Sequence, residues 1–251
     1  MVKIILHGCN GRMGRMVTDI VNDDPDAVIA AGVDIAGEGS GGFPVFRDIS
    51  ECDVSADCVI DFGAAPAVDK VAAYCLSKDL PLVECTTGLS DEQLKSLKDV
   101  SERIPLLKSA NMSLGINILQ KVLKQISGVL YEAGFDIEIV EKHHRTKVDA
   151  PSGTALALAD TIRDSLNDKM EYVYDRSQVR QKRDHGEIGI SAVRGGTIVG
   201  DHDVIFAGHD EVITLSHRAY SRGVFAKGAV LAAKFLKDKG PGYYDMSDVI
   251  G

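Results

Sequence analysis

The chain has 251 residues, 45% of them hydrophobic and 26% charged, a composition that excludes disordered and collagen-like chains and predicts a folded protein with a sizeable core. Lys and Arg number 28 against 37 Asp and Glu, a formal net charge of −9, so nucleic acid and anionic membrane are not expected partners and any anion site must be local. No apolar run approaches the ~18 residues that span a bilayer, and "MVKIILHGCN" is too short for a signal sequence, so the expected location is the cytoplasm.

The first run, Val2 to His7, ends in "GCNGRMG", after which Met13, Met16, Val17, Ile20 and Val21 recur at helical spacing. Strand, glycine turn and helix follow. Gly8, Gly11 and Gly14 would let a pyrophosphate approach the main chain where the helix leaves its first N–H groups unpaired. The spacing is GxxGxxG, not GxGxxG, so the turn alone also fits an ordinary tight turn. A second run, Val28 to Val33, ends at Asp34, twenty positions after Gly14, where an acidic residue binds an adenosine ribose. Its neighbours Ile35, Ala36 and Gly37 carry no base for a 2′-phosphate, although Arg12 lies in the turn, so NADH should serve at least as well as NADPH.

Further runs, "CVIDF" (Cys58 to Phe62), "LPLVECTTG" (Leu80 to Gly88) and "IPLLK" (Ile104 to Lys108), read as buried parallel strands alternating with helices. Pro66 suits the first turn of one helix, and Ser90 with Gln93 forms a capping box opening another that runs to about Arg103. Ligands of such sheets sit beyond the carboxyl ends of the strands, so Phe62, Gly63, Thr86, Thr87 and the Ser109 to Ser113 segment would line one crevice. Five cysteines (Cys9, Cys52, Cys58, Cys75, Cys85) fall in the first third without a CxxC pair, which predicts buried, reduced thiols.

Beyond Ser113 the pattern changes. A long helix carrying Ile116, Leu119, Val122, Leu123, Ile126 and Leu130 leads into "FDIEIVEKHH", whose alternation predicts a half-buried strand. Runs from Glu187 to His217, separated by turn signals, predict a mostly antiparallel sheet. The basic cluster from Arg176 to Arg183 reads as a solvated loop, and a final helix carries Val224, Leu231 and Phe235. The fold class is therefore α/β: a Rossmann-type dinucleotide-binding domain (1–113 and 223–251) plus an α+β substrate and oligomerisation domain (114–222) with a mostly antiparallel open sheet.

Between the two patterns of the second half lies "EKHHRTKVDAPSGTALALAD", Glu141 to Asp160. Pro151 and Ser152 suit the first turn of a helix whose amides at Ser152, Gly153 and Thr154 would receive a carboxylate. His143, His144, Arg145 and Lys147 repel one another unless an anion joins them, and such repulsion is one way that acids are tuned for catalysis near pH 7. Adjacent histidines on a strand point to opposite faces, so a metal shared by His143, His144 and Asp149 is not expected.

This stretch, with "HGCNGRMG", "DF" and "TTG" before it and "VRGGTIVGDH" and "YDM" after it, resembles the 4-hydroxy-tetrahydrodipicolinate reductase (dihydrodipicolinate reductase) family over essentially the whole chain. The resemblance implies an NADH- or NADPH-dependent reduction of a cyclic dicarboxylate on the diaminopimelate and lysine pathway, by a homotetramer built through the second-domain sheet. It implies His143 as acid/base residue and Lys147 as proton donor, with His144, Gly153 and Thr154 holding substrate carboxylate. It places the dinucleotide against Gly8, Cys9, Asn10, Gly11, Arg12 and Met13, against Asp34, against Cys85, Thr86 and Thr87, and against Ser109, Ala110, Asn111 and Met112. Two positions depart from the family: Cys85 stands where a glycine is usual, and Gly63 where a hydroxyl residue is usual. Apart from the resemblance, another two-domain dehydrogenase and a dinucleotide-sensing module remain open.

Overall fold

The apolar runs of the first half become the strands β1 (Val2–His7), β2 (Ala27–Val33), β4 (Cys58–Asp61), β5 (Leu82–Glu84) and β6 (Pro105–Lys108). Two shorter strands, β3 (Val45–Phe46) and β12 (Gly242–Tyr244), extend the sheet at its two edges. They are too short for a period-two signal, and the sequence reading did not find them. This computed structural model describes residues 1–37, 39, 41–167 and 170–251. The seven strands are all parallel in the order β12-β6-β5-β4-β1-β2-β3, so the connection reverses direction between β1 and β4. That switch point leaves a crevice beyond the strand ends.

Alternate residues of each strand feed two cores, which is why these runs are apolar throughout. Leu6, Ile60, Val83 and Leu107 pack with Val17 of α1 (Arg12–Asn22) and with Ala226, Ala229 and Ala233 of α6 (Gly223–Leu236). Ile5, Val59, Leu82 and Leu106 pack instead with Val71 and Cys75 of α2 (Val68–Lys78) and with Leu97 of α3 (Asp91–Ser101). Ser90 and Gln93 form the capping box of α3, each side chain accepting from the other's backbone N–H. Pro66 sits one turn earlier than expected, in a short 3-10 turn at Ala65–Ala67 that leads into α2.

By contact, residues Met1–Leu114 and Arg222–Gly251 form one unit and Gly115–Ser221 a second. The second unit holds most of α4 (Leu114–Glu132), together with α5 (Gly153–Ser165) and the strands β7 (Asp136–His143), β8 (Glu171–Val173), β9 (Glu187–Arg194), β10 (Gly200–Ala207) and β11 (Val212–Ala219). Its sheet, in the order β11-β10-β7-β9-β8, is mixed and not mostly antiparallel: β10 runs antiparallel to β11 and β7, but β9 runs parallel to β7 and β8. The alternation of apolar residues does not encode strand direction. Here α5 carries the chain across the sheet between β7 and β9, and a helical crossover returns a strand in parallel. β7, buried at every second residue, takes the centre and separates β9 from β10.

The basic loop is also more than a solvated segment. Arg183 donates to Asp136 (2.7 Å), Glu138 (3.0 Å) and the carbonyl oxygens of Ile137 (2.9 Å) and Glu187 (2.6 Å), and Arg176 pairs with Glu138 and Glu187. Two of its arginines therefore clamp the loop to β7 and β9, while Arg180 and Lys182 stay exposed. No helix among the described residues is long and apolar enough to cross a membrane.

Candidate active site

The glycine turn after β1 is shaped by close backbone contact. Gly8 has φ of +74°, and a Cβ there would lie 2.6 Å from the Phe62 carbonyl oxygen; at Gly14 it would lie 2.3 Å from the Gly8 carbonyl oxygen. Neither neighbour is a side chain that could swing away, so only glycine lets α1 begin against the turn. Gly11 is the N-cap and contributes no side-chain cap, and no acidic residue occupies the first turn of α1. An anion is thus favoured at that helix end. Gly14→Ala should cost ~1–3 kcal/mol of stability, the scale of forced overpacking, and weaken dinucleotide binding; thermal melts and NADH titration check both effects.

Asp34 stands at the end of β2, where its carboxylate accepts the Asn10 N–H (3.1 Å) and the Ala36 N–H (3.1 Å), tying the ends of β1 and β2 together. Cys9 is buried beneath this turn against Gly32, so it can offer a ligand only backbone. Burial, and after it the Asp34 charge, pushes its thiol up to about 11, in keeping with a reduced, inert cysteine. Arg47 was not legible as a neighbour of Asp34. Because Val33 pairs with Phe46, Arg47 follows beside Asp34, and its Nε lies 2.4 Å from where a Gly37 Cβ would be.

Beyond the carboxyl ends of β4, β5 and β6 lies a cavity of about 890 Å³, within the range of cofactor sites. Ten expected residues line it: Arg12 and Met13, Phe62, Cys85 to Thr87, and Ser109 to Met112, with Gly63 beside them. Gly8, Asn10, Gly11 and Asp34 do not line it and belong to the turn at the ends of β1 and β2. Leu94 of α3, Phe225 of α6 and Tyr243 of β12 also line the cavity and were missed, since each arrives from an element with no local motif. One departure from the family pattern has a local reason. A Cβ at residue 63 would fall 2.5 Å from the His7 ring and 2.9 Å from Asp61 Oδ1, so these two side chains leave room only for glycine there.

In the second unit the centre is Glu141, fully buried on β7. It accepts both Nη atoms of Arg194 at 2.7 Å, the Ser152 N–H at 2.9 Å and His143 Nδ1 at 2.6 Å. Burial works to raise its carboxyl, but Arg194, His143 and Ser152 outweigh burial and hold it below the ordinary range. With the Nδ1 proton directed to Glu141, His143 keeps Nε2 for a ligand. Gly200 leaves that nitrogen uncovered, since a Cβ there would sit 3.0 Å from it.

His202, beside His143 with ring centroids 5.1 Å apart, is pushed down to about 4 by burial and then by His143. It is therefore neutral near pH 7, and Nε2 accepts the Ser152 hydroxyl at 3.0 Å while Ser152 Oγ accepts the Ala155 N–H at 3.1 Å. Ser152 is the N-cap of α5 and Pro151 precedes the helix, where the sequence reading had both in its first turn. The Ser152 amide, expected to receive a carboxylate, is already used, and so is its hydroxyl. Its amide serves Glu141 and not a ligand.

Lys147 bonds Asp149 at 2.7 Å, and this pairing first, with the Gly153 amide among lesser causes, holds the Asp149 carboxyl below its ordinary range. Gly153 itself is open, with nothing within 4 Å of a Cβ. His144 is half-buried and bonds Thr146 Oγ1 at 2.8 Å; Thr154 is half-buried in the first turn of α5. The repulsion expected among four cationic groups is thus relieved by the stretch's own carboxylates, Glu141 beneath His143 and Asp149 beside Lys147.

Comparison with known proteins agrees with this architecture. Residues 2–112 match the family model described as dihydrodipicolinate reductase, N-terminus, and residues 115–250 match dihydrodipicolinate reductase, C-terminus. The chain is 53% identical to a 4-hydroxy-tetrahydrodipicolinate reductase of Clostridium tetani, covering 98% of this chain and 96% of that protein. It is 51% identical to one of Caldanaerobacter subterraneus, covering 100% and 98%. Among solved structures, a dipicolinate-bound dihydrodipicolinate reductase from Paenisporosarcina sp. TG-14 shares the fold with a TM-score of 0.81 at 23% identity, covering 99% of each chain. A myo-inositol dehydrogenase from Lactobacillus casei, solved with NAD(H) and myo-inositol, aligns with a TM-score of 0.61 at 15% identity, covering 99% of this chain and 90% of that one. This chain belongs to the dihydrodipicolinate reductase family.

Proposed function

We infer that the protein catalyses the NAD(P)H-dependent reduction of 4-hydroxy-tetrahydrodipicolinate to tetrahydrodipicolinate in diaminopimelate and lysine biosynthesis. In this reading residues 1–113 and 223–251 bind the dinucleotide, residues 114–222 bind the substrate and join subunits into a homotetramer, and the enzyme works in the cytoplasm. One observation carries it. A carboxylate, that of Asp149, already sits on the Lys147 ammonium and against the Gly153 amide, which marks an anion position beside the start of α5. A substrate carboxylate takes that position in place of Asp149, with His144 and Thr154 completing the grip.

The dinucleotide suits the first unit because backbone approach at Gly8 and Gly14 has no Cβ in its way, and because the end of α1 carries no competing acid. When bound it supplies a hydride to the substrate. The chain's residues do the rest. Held on the substrate's carboxylate, Lys147 delivers a proton where negative charge would otherwise develop, and the 4-hydroxyl leaves as water, so that hydride and proton in and water out balance the reduction. His143, turned by Glu141, presents Nε2 as an acid/base group. Mixing protein, NADH and the cyclic substrate while following cofactor absorbance tests the assignment. Oxidation is expected, whereas intact NADH binding without oxidation would favour the sensing module, and faster turnover of another substrate the alternative dehydrogenase.

Cofactor preference has a second determinant. Asp34 favours an unmodified ribose, yet Arg47 stands next to it, so the protein has a cation for a 2′-phosphate that the residues after Asp34 lack. Arg47→Ala should raise the KM for NADPH by roughly 10-fold, the scale of one charge-assisted hydrogen bond, and leave that for NADH nearly unchanged. Steady-state kinetics with both cofactors reads this directly.

A further inference from the structure

Four titratable residues cross the first sheet in one row that the proposed chemistry does not use. His7, Asp61, Glu84 and Lys108 end β1, β4, β5 and β6, and the register pairs them successively, so they stand side by side on one face. That is the α2 and α3 face, two residues beyond Ile5, Val59, Leu82 and Leu106 of its core. Asp61 and Glu84 are adjacent and have no exposure at all. Each carboxylate spends one oxygen on the backbone two residues on: Asp61 Oδ1 accepts the Gly63 N–H at 2.7 Å, and Glu84 Oε1 accepts the Thr86 N–H at 2.7 Å. Their other oxygens, Asp61 Oδ2 and Glu84 Oε2, are buried and accept no hydrogen bond within ordinary geometry among the described residues, although the Thr86 hydroxyl stands near Glu84 and is the smallest of the causes that lower its carboxyl.

Two neighbouring carboxylates in a water-free interior cannot both carry charge without a large penalty. His7 Nδ1 lies 2.6 Å from Asp61 and can offset one charge, but Lys108 gives its ammonium to the Thr86 carbonyl oxygen at 3.0 Å and not to Glu84. The Lys108 charge still lowers the Glu84 carboxyl from a distance, but less than burial and Asp61 raise it, and no other cation among the described residues acts on it. Cys75 in the core beneath it and Cys85 next to it in the chain are thiols pushed upward by burial, and so neutral, and Tyr243 from β12 is a phenol pushed upward by burial and nearby acids. A single proton held on Glu84 removes one of the two adjacent buried charges.

We propose that Glu84 and Asp61 hold one proton between them at neutral pH, carried by Glu84, and that this pair is the positioning element for the two turns of the dinucleotide cavity. Gly63 and Thr86, whose amides the pair holds, both line that cavity, as does Lys108, which holds the Thr86 carbonyl oxygen. Losing the shared proton sets two buried charges against each other directly beneath these turns and loosens them. Burial first, then Asp61, pushes the Glu84 carboxyl up to about 8, so loss falls in the mildly alkaline range. The functional part of the proposal rests on the first unit being the dinucleotide-binding one.

Infrared spectroscopy of the ligand-free protein tests the proton itself. Ordinary carboxyls are ionised by pH 7, so a carboxylic-acid C=O band that persists there and titrates with a midpoint near 8 is expected, and it should vanish in Glu84→Gln. Glutamine keeps the shape of the neutral acid but cannot ionise. The wild-type Kd for NADH, measured by calorimetry, should therefore rise several-fold from pH 7 to pH 9, while that of Glu84→Gln stays flat. Because the native carboxyl binds its proton more tightly than the unfolded chain, the wild-type melting temperature relative to Glu84→Gln should fall as pH rises from about 4.5 to about 8.

Absence of a protonated-carboxyl band above pH 6 in the wild type overturns the shared proton, with no variant needed. A band present alongside the same NADH pH profile in both proteins overturns the positioning role. NADH failing to bind at any pH would instead sink the dinucleotide reading, leaving the infrared result to decide the pair.

Discussion

Lys147→Ala is expected to lower turnover by ~100-fold or more, the scale of a lost general acid, with NADH affinity nearly unchanged. Lys147 belongs to residues 115–221, whereas every residue lining the dinucleotide cavity belongs to the other unit. The side chain is only 21% exposed and already holds an anion, Asp149, at 2.7 Å. In the proposed mechanism its removal would delete both a charge for the substrate carboxylate and the proton source, so kcat should fall and the substrate KM should rise. Asp149→Asn separates the two roles. It frees the ammonium without removing it, and should leave turnover within a few-fold of wild type. Single-turnover kinetics at saturating substrate checks the proton-transfer part, and wild-type turnover in Lys147→Ala would take this residue out of the chemistry.

The second large effect is at Glu141. Truncation to alanine leaves Arg194 without its carboxylate, the Ser152 amide without an acceptor and His143 without the group that turns it. Breaking a buried pair from one side costs ~3–5 kcal/mol, because the remaining charge stays desolvated. Both stability and turnover should therefore fall. Glu141→Gln keeps the shape and one acceptor oxygen, so it should fold better while still losing turnover as His143 loses its orienting charge.

The pH dependence follows from the same contacts. Glu141 releases its proton more readily in the native state than in the unfolded chain, so the stability it contributes is present above about 4.5 and lost as pH falls through its lower native value. His202 acts in the same sense. Held near 4 against an ordinary 6.5, it binds a proton less readily when folded, so acidification across that interval also favours unfolding. Melting temperatures should drop between pH 6.5 and pH 4 through His202 and continue to drop below pH 4.5 through Glu141, and the second part should be missing in Glu141→Gln.

Some of this site was legible because its determinants are local. Gly8 and Gly14 could be read as backbone-approach positions because their requirement is a missing Cβ, and Ser90 with Gln93 as a cap because both partners lie within one turn. The start of α5 was readable to within two residues for the same reason. Arg194 and His202 were not, although the first grips Glu141 and the second holds Ser152. Each comes from a strand more than 40 residues on in the chain, and neither carries a spacing that announces its partner.

By itself, the sequence determined the five inner strands of the first unit and the main helices between them, though not the short edge strands β3 and β12, together with the glycine turn, the acidic residue after β2, and the cationic stretch with the helix behind it. These depend on periodicity and on short-range sterics, which neighbouring residues decide between them. Only the tertiary structure decided that the second sheet is mixed, that Arg47 stands beside Asp34, and that Asp61 and Glu84 meet without a cation between them. Strand order and register bring these groups together, and both are set by how whole elements pack, an energy that no local window of residues contains.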